Sequence, residues 1–161
     1  MFDKFGEFDS YAEINLAAKG FLEEGDFESI KELAKENGID EMDADDYIDG
    51  IVPELCNELM AAIGKIEIEC KELQPKEIME DWVEYIKVQC MDKRTMAAAV
   101  RTKGKNLKGC IAELLKWSFS NQIAIDENIK KAAGVSAGKV TLGIPGIRTA
   151  KKIIDKYYLG E

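Results

Sequence analysis

Helix-starting and helix-stopping signals recur so regularly along this chain of 161 residues that they restrict it to an all-α or mostly α architecture. Ser10 followed by Glu13 forms a capping box that opens a helix over residues 12–22, with Ile14, Leu16, Ala17 and Phe21 on its apolar side. Gly25 and Asp26 stop that helix and cap the next, over residues 27–37. There Phe27, Ile30 and Leu33 repeat at helical spacing before Gly38 ends the element. Asp40 to Asp49 reads as a short acidic helix closed by Gly50, and Pro53 opens a helix over 54–63 with Leu55, Leu59 and Ala62 facing a core.

The alternation Ile66-Glu67-Ile68-Glu69 fits a strand or the edge of a helix alike. Pro75 introduces the clearest amphipathic helix, to residue 91, in which Ile78, Trp82, Tyr85, Ile86 and Gln89 fall at steps of three and four. Asp92 is the expected cap of a helix through Met96, Ala99 and Val100 that Gly104 ends. Asn106 caps a helix over 107–120, which Cys110, Ile111, Leu114, Leu115, Trp117 and Phe119 mark as largely buried. Asp126 caps a short helix over 127–133. Gly134, Gly138, Gly143, Pro145 and Gly146 make residues 134–146 a loop with one short strand. A last helix over 147–158 is expected to bury Ile147, Ala150, Ile153, Ile154 and Tyr157. The expectation is a single domain over 1–161 with seven to nine helices and no internal repeat. A domain of about 150 residues buries roughly 68–70% of its unfolded surface, enough for a full core.

Charge divides this chain unevenly. Residues 1–99 carry 26 Asp and Glu against 10 Lys and Arg, whereas residues 100–161 carry 5 against 12, within a net charge of −9. An acidic helical part and a basic part point to charged, macromolecular partners. No run approaches the ~20 apolar residues of a membrane span, and the first residues lack a basic region followed by an apolar one, so the expected location is the cytoplasm.

There is no histidine, which excludes Ser-His-Asp and Cys-His arrangements. Cys56, Cys70, Cys90 and Cys110 form no Cys-x-x-Cys pair, so no metal site is expected and the thiols read as small buried side chains in a reducing compartment. No cofactor is expected either, because the glycines at 134, 138, 143 and 146 match neither Gly-x-Gly-x-x-Gly nor a Walker loop. The acidic run does not make a calcium loop: counted from Asp40, positions 3, 6 and 12 are Met42, Asp45 and Val52.

Two charged groups of residues are candidate contact sites. Asp40, Glu41, Asp43, Asp45, Asp46 and Asp49 form either a solvated helix face or an acidic surface that imitates nucleic-acid phosphate. Arg101, Lys103, Lys105 and Lys108 sit at a helix-to-helix turn, where they suit a phosphate backbone or pairing with the acidic half of the same chain.

Two resemblances bear on function. Lys130 to Val140, through Ala132-Ala133-Gly134-Val135-Ser136, resembles the turn of LacI-type helix-turn-helix repressors, although Pro145 and its neighbouring glycines interrupt the helix that should read DNA. That resemblance implies a DNA-binding regulator using residues 126–152. Lys103 to Glu113, the adjoining amphipathic helix and a last helix closing on Tyr157-Tyr158 resemble the C-terminal core of the PcfK-like family of conjugative plasmids and phages, over residues 101–158. One branch of that family comprises Cas9-inhibiting anti-CRISPR proteins. The resemblance implies a non-enzymatic inhibitor in a bacterial host that binds Cas9 or its guide RNA complex, with nucleic-acid contact through the basic part.

Overall fold

A computed structural model describes residues 1–160. Among these residues it contains nine helices: α1 (Tyr11–Glu24), α2 (Phe27–Glu36), α3 (Glu41–Ile48), α4 (Glu58–Leu73), α5 (Ile78–Asp92), α6 (Arg94–Arg101), α7 (Leu107–Ser120), α8 (Glu127–Ala132) and α9 (Ile147–Leu159). Two short strands, β1 (Ile123–Ala124) and β2 (Thr141–Leu142), pair antiparallel with Ile123 opposite Leu142. No helix among the described residues is long and apolar enough to cross a membrane.

The local signals act as expected where a side chain can reach an end group. Ser10 Oγ accepts from the Glu13 N–H at 3.3 Å, and the Glu13 carboxylate reaches back one residue beyond the cap to accept from the Asp9 N–H at 2.7 Å, a displaced form of the capping box. Gly25 adopts φ 71°, and Asp26, Asp40, Asn106 and Asp126 each accept from a backbone N–H in the first turn they cap.

Elsewhere tertiary contacts move the boundaries. No helix opens at Pro53; α4 starts at Glu58, with Asn57 as its cap. The segment before it, a run of bends that reaches extended backbone at Asn57, is held by Asn15 of α1, whose amide donates to Cys56 O at 2.8 Å and accepts from the Cys56 N–H at 3.0 Å, so Leu55 and Cys56 are buried without helical hydrogen bonds. The alternating stretch 66–69 lies within α4: Lys65, Ile66 and Glu69 share one buried face at helical spacing. The helix after Pro75 begins only at Ile78, following Gln74 and Glu77 at positive φ. Asp92 ends α5 and caps nothing; α6 starts after Lys93 without a side-chain cap.

Two apolar clusters make the core. One gathers Ile14, Ile30, Leu33, Tyr47 and Leu55 from α1, α2, α3 and the segment before α4; the other gathers Ile66, Trp82, Ile86, Met96, Leu114 and Ile154 from α4, α5, α6, α7 and α9. They meet along α4, where Ala61 belongs to the first and Ala62 to the second. The charge boundary near residue 99 therefore falls inside α6 and marks no boundary in packing.

Several apolar residues expected inside are outside. Leu16, Leu115, Phe119 and Ile147 are mainly exposed, as is half of Phe27, so α7 buries only Leu107, Cys110 and Leu114. Periodicity gave the right helices, but a broad apolar stripe exceeds the strip that neighbours cover.

At the junction of the clusters, Gly38 (φ 68°) lies against Gly64 of α4 so closely that a Cβ on either would collide with the other segment's backbone. Gly64→Ala is expected to lower stability in urea unfolding by about 1–3 kcal/mol through overpacking. Gly20→Ala, exposed in α1 with open space around its Cα, is expected to raise it by up to about 1 kcal/mol through helix propensity.

Candidate charged interfaces

The basic turn between α6 and α7 divides into structural and exposed members. Arg101 is 1% exposed; its Nη2 donates to Asn37 Oδ1 at 2.9 Å, and its guanidinium lies 5.4 Å from the Phe2 ring centroid. It is an internal residue, not a surface contact for nucleic acid. Lys105 is also committed: Nζ donates to Tyr157 O at 2.6 Å, at the C-terminal end of α9, and lies 4.9 Å from the Tyr157 ring centroid. Lys103 and Lys108 remain exposed.

Beneath the turn runs a buried polar seam that the sequence reading missed. Lys65 Nζ bonds Glu7 Oε1 at 2.7 Å and the carbonyls of Thr102 and Lys105 at 3.2 and 2.6 Å. Glu7 also accepts from the Gly104 N–H and Asp9 from the Lys103 N–H, so the N-terminal segment straps over the turn through its backbone rather than its lysines. Glu69 accepts from the Leu107 N–H at 2.7 Å, and burial pushes its pKa up to about 7. The signal in the sequence was a pair of charges at i and i+4, Lys65 and Glu69, on an otherwise apolar helix face.

The acidic run forms α3 and its caps. Asp40 is the N-cap, its Oδ1 accepting from the Met42 N–H at 2.9 Å; Lys31 of α2 reaches Asp45 at 2.7 Å and Glu41 at 3.8 Å. Asp40, Asp43, Asp46 and Asp49 repeat every three residues, at least partly exposed and without ion pairs among the described residues.

A second basic surface lies on α9. Arg148, Lys151, Lys152 and Lys156 are exposed at helical spacing, opposite the buried Ala150, Ile154 and Tyr158. Lys151 lies 5.0 Å from the Tyr85 ring centroid, and Tyr85 OH donates to Asp155 at 3.1 Å. The recognition helix of the LacI-type resemblance, whose interruption the sequence indicates, is absent: after α8 the chain runs through an irregular segment into β2, and no helix follows the Ala133-Gly134 turn before α9.

Among the described residues, no Lys or Arg side chain of 100–161 forms an ion pair with an Asp or Glu of 1–99; Lys116 and Lys130 pair with Glu113 and Glu127 of their own helices. Pairing with the acidic half, one of the two uses foreseen for the basic turn, is thus limited to backbone N–H groups.

The four cysteines are free, and burial pushes the thiols of Cys56, Cys90 and Cys110 up to about 12, which keeps them protonated and poorly nucleophilic. No group of three or more His, Cys, Asp or Glu is placed to hold a metal ion among the described residues. No protein-family model, curated protein or solved structure matches the chain.

Arg101→Ala is expected to cost about 2–5 kcal/mol in urea unfolding, through a cavity and the orphaned Asn37, while Lys103→Ala and Lys108→Ala stay within about 0.5 kcal/mol. Glu69 yields a pH dependence. Its folded pKa of about 7 lies above the ordinary 4.5 of a glutamate, so its contribution is fully present below the lower value and lost as pH rises through the upper one. Glu69→Gln, which keeps the acceptor for Leu107, is expected to flatten that fall and add up to about 3 kcal/mol at pH 8, measured by unfolding across pH.

Proposed function

We propose that this chain is a non-enzymatic inhibitor that acts in the cytoplasm of a bacterial host by binding a Cas9-type effector, with or without its guide RNA, and blocking its binding or cleavage of DNA. The observation that carries the reading is the persistence of the charge division after folding: acidic and basic side chains of the two parts leave each other unpaired among the described residues. Charges that the fold does not consume remain available to a charged partner.

The α3 face supplies the geometry for this. A step of three residues advances about 4.5 Å along a helix axis and turns about 60° around it, so Asp40, Asp43, Asp46 and Asp49 form a band of carboxylates that winds half-way round α3 and its caps, against about 3.4 Å per phosphate along one DNA strand. An effector of this class holds guide and target in a positively charged channel. A band of carboxylates competes there as a phosphate surrogate, and the PcfK-like resemblance names the same partner. A DNA-binding regulator is the second reading, favoured by the exposed row Arg148, Lys151, Lys152 and Lys156 on α9, free of ion pairs among the described residues, rather than by a helix-turn-helix.

Cleavage of a matching duplex by a panel of guide-loaded Cas9 orthologues, titrated with the protein, separates the readings. Inhibition is expected from the wild type and is expected to weaken by about tenfold or more when Asp40, Asp43, Asp46 and Asp49 are changed to Lys, about 1.4 kcal/mol of binding. Absence of both inhibition and co-purification across the panel removes the inhibitor reading. A gel shift on free duplex with a steep salt dependence, lost in Arg148→Ala/Lys152→Ala, supports the regulator instead.

A further inference from the structure

Between the acidic and the basic parts of the chain lies an apolar surface that neither charged face uses. A groove of about 400 Å³ opens between the start of α5 and the second half of α7, walled by Ile78, Met79 and Trp82 on one side and Leu115 and Phe119 on the other, with Ile144 at its end. Phe119 is 77% exposed, Ile144 60% and Leu115 55%. Ile123 and Leu142, a cross-strand pair next in sequence to the groove residues Gln122 and Gly143, and Ile147 of α9 are also more than half exposed. Monomeric proteins rarely expose contiguous apolar patches beyond a few hundred Å².

The rim identifies the occupant. Along the α5 wall Glu77, Glu80 and Asp81 are exposed and free of ion pairs among the described residues. Beyond the other wall, Lys116 follows Leu115 in α7 and is paired only within its own helix, and Arg148, four residues after Ile144, is exposed and free of ion pairs among the described residues. A nucleic acid laid in this groove would face the α5 carboxylates, as would an acidic peptide. A rim acidic on one wall and basic on the other is self-complementary under a two-fold axis, the commonest symmetry of soluble oligomers. Rotation by half a turn about an axis along the groove would set each acidic α5 wall over the partner copy's basic side and each Phe119 ring against the facing groove.

We propose that this groove is the interface of a homodimer, with Phe119 as its central anchor and the Asp81 and Arg148 sides as its electrostatic clasp. The assignment does not depend on what the charged faces bind.

Sedimentation equilibrium of the full chain across the micromolar range tests it. The wild type is expected to dimerise, and Phe119→Glu to raise the dissociation constant by about thirtyfold or more, as for an aromatic hot spot. Its circular dichroism should stay unchanged, because the ring is exposed in the monomer, and its unfolding midpoint should lose the dependence on protein concentration that the wild-type dimer shows. Asp81→Arg and Arg148→Asp are each expected to weaken the dimer, and their combination to restore it. A wild type that stays monomeric over this range overturns the proposal, as does a dimer whose dissociation constant is unaltered by Phe119→Glu.

Discussion

The approach of the turn after α2 to the middle of α4 is the contact on which the rest of the molecule depends. Only because Gly38 and Gly64 both lack a Cβ can the two backbones touch. That contact places Asn37 against α4, where its amide donates to Leu33 O at 2.9 Å and its carbonyl oxygen accepts from Arg101 at 2.9 Å. One asparagine thereby ends α2, anchors α6 and closes the interior between the two apolar clusters. With a side chain at either glycine the clusters would part, and Arg101, Lys65 and Glu69 would lose the enclosure that makes their hydrogen bonds strong.

That enclosure also decides which charges are available outside. The N-terminal segment spends Glu7 on Lys65 and on a backbone N–H of the α6–α7 turn, and Asp9 on another. Acid and base thus meet through one buried lysine and the backbone, and Lys103, Lys108 and the cations of α9 are left over. The opposite signs survive on the folded surface because neutralisation takes place at main-chain donors. Arg101, the most prominent cation of the turn in sequence, is the one least able to leave the protein.

The helices were legible in the sequence because their causes are local. Ser10 with Glu13, Gly25 with Asp26, and Asn106 act on atoms within a few residues, and each set its boundary to within one or two positions. Pro53 failed as a start signal because Asn15, forty-one residues from Cys56, offered the segment better hydrogen bonds than a helix would. The acidic run was legible as a helix. That Lys31 engages Asp45 and Glu41 while Asp43 and Asp46 stay unpaired depends on where α2 lies beside it.

The sequence by itself determined an α-helical chain, most of its caps, the division of charge and the absence of histidine chemistry, since these rest on residue identity and short-range hydrogen bonding. Only the tertiary structure decided that Lys65, Glu69 and Arg101 lie inside while Leu115, Phe119 and Ile147 lie outside. The physical reason is that periodicity marks a face of a helix, whereas burial requires another element to cover it. Whether two charges pair is likewise a matter of distance across the fold, and in this chain folding holds the two signs apart.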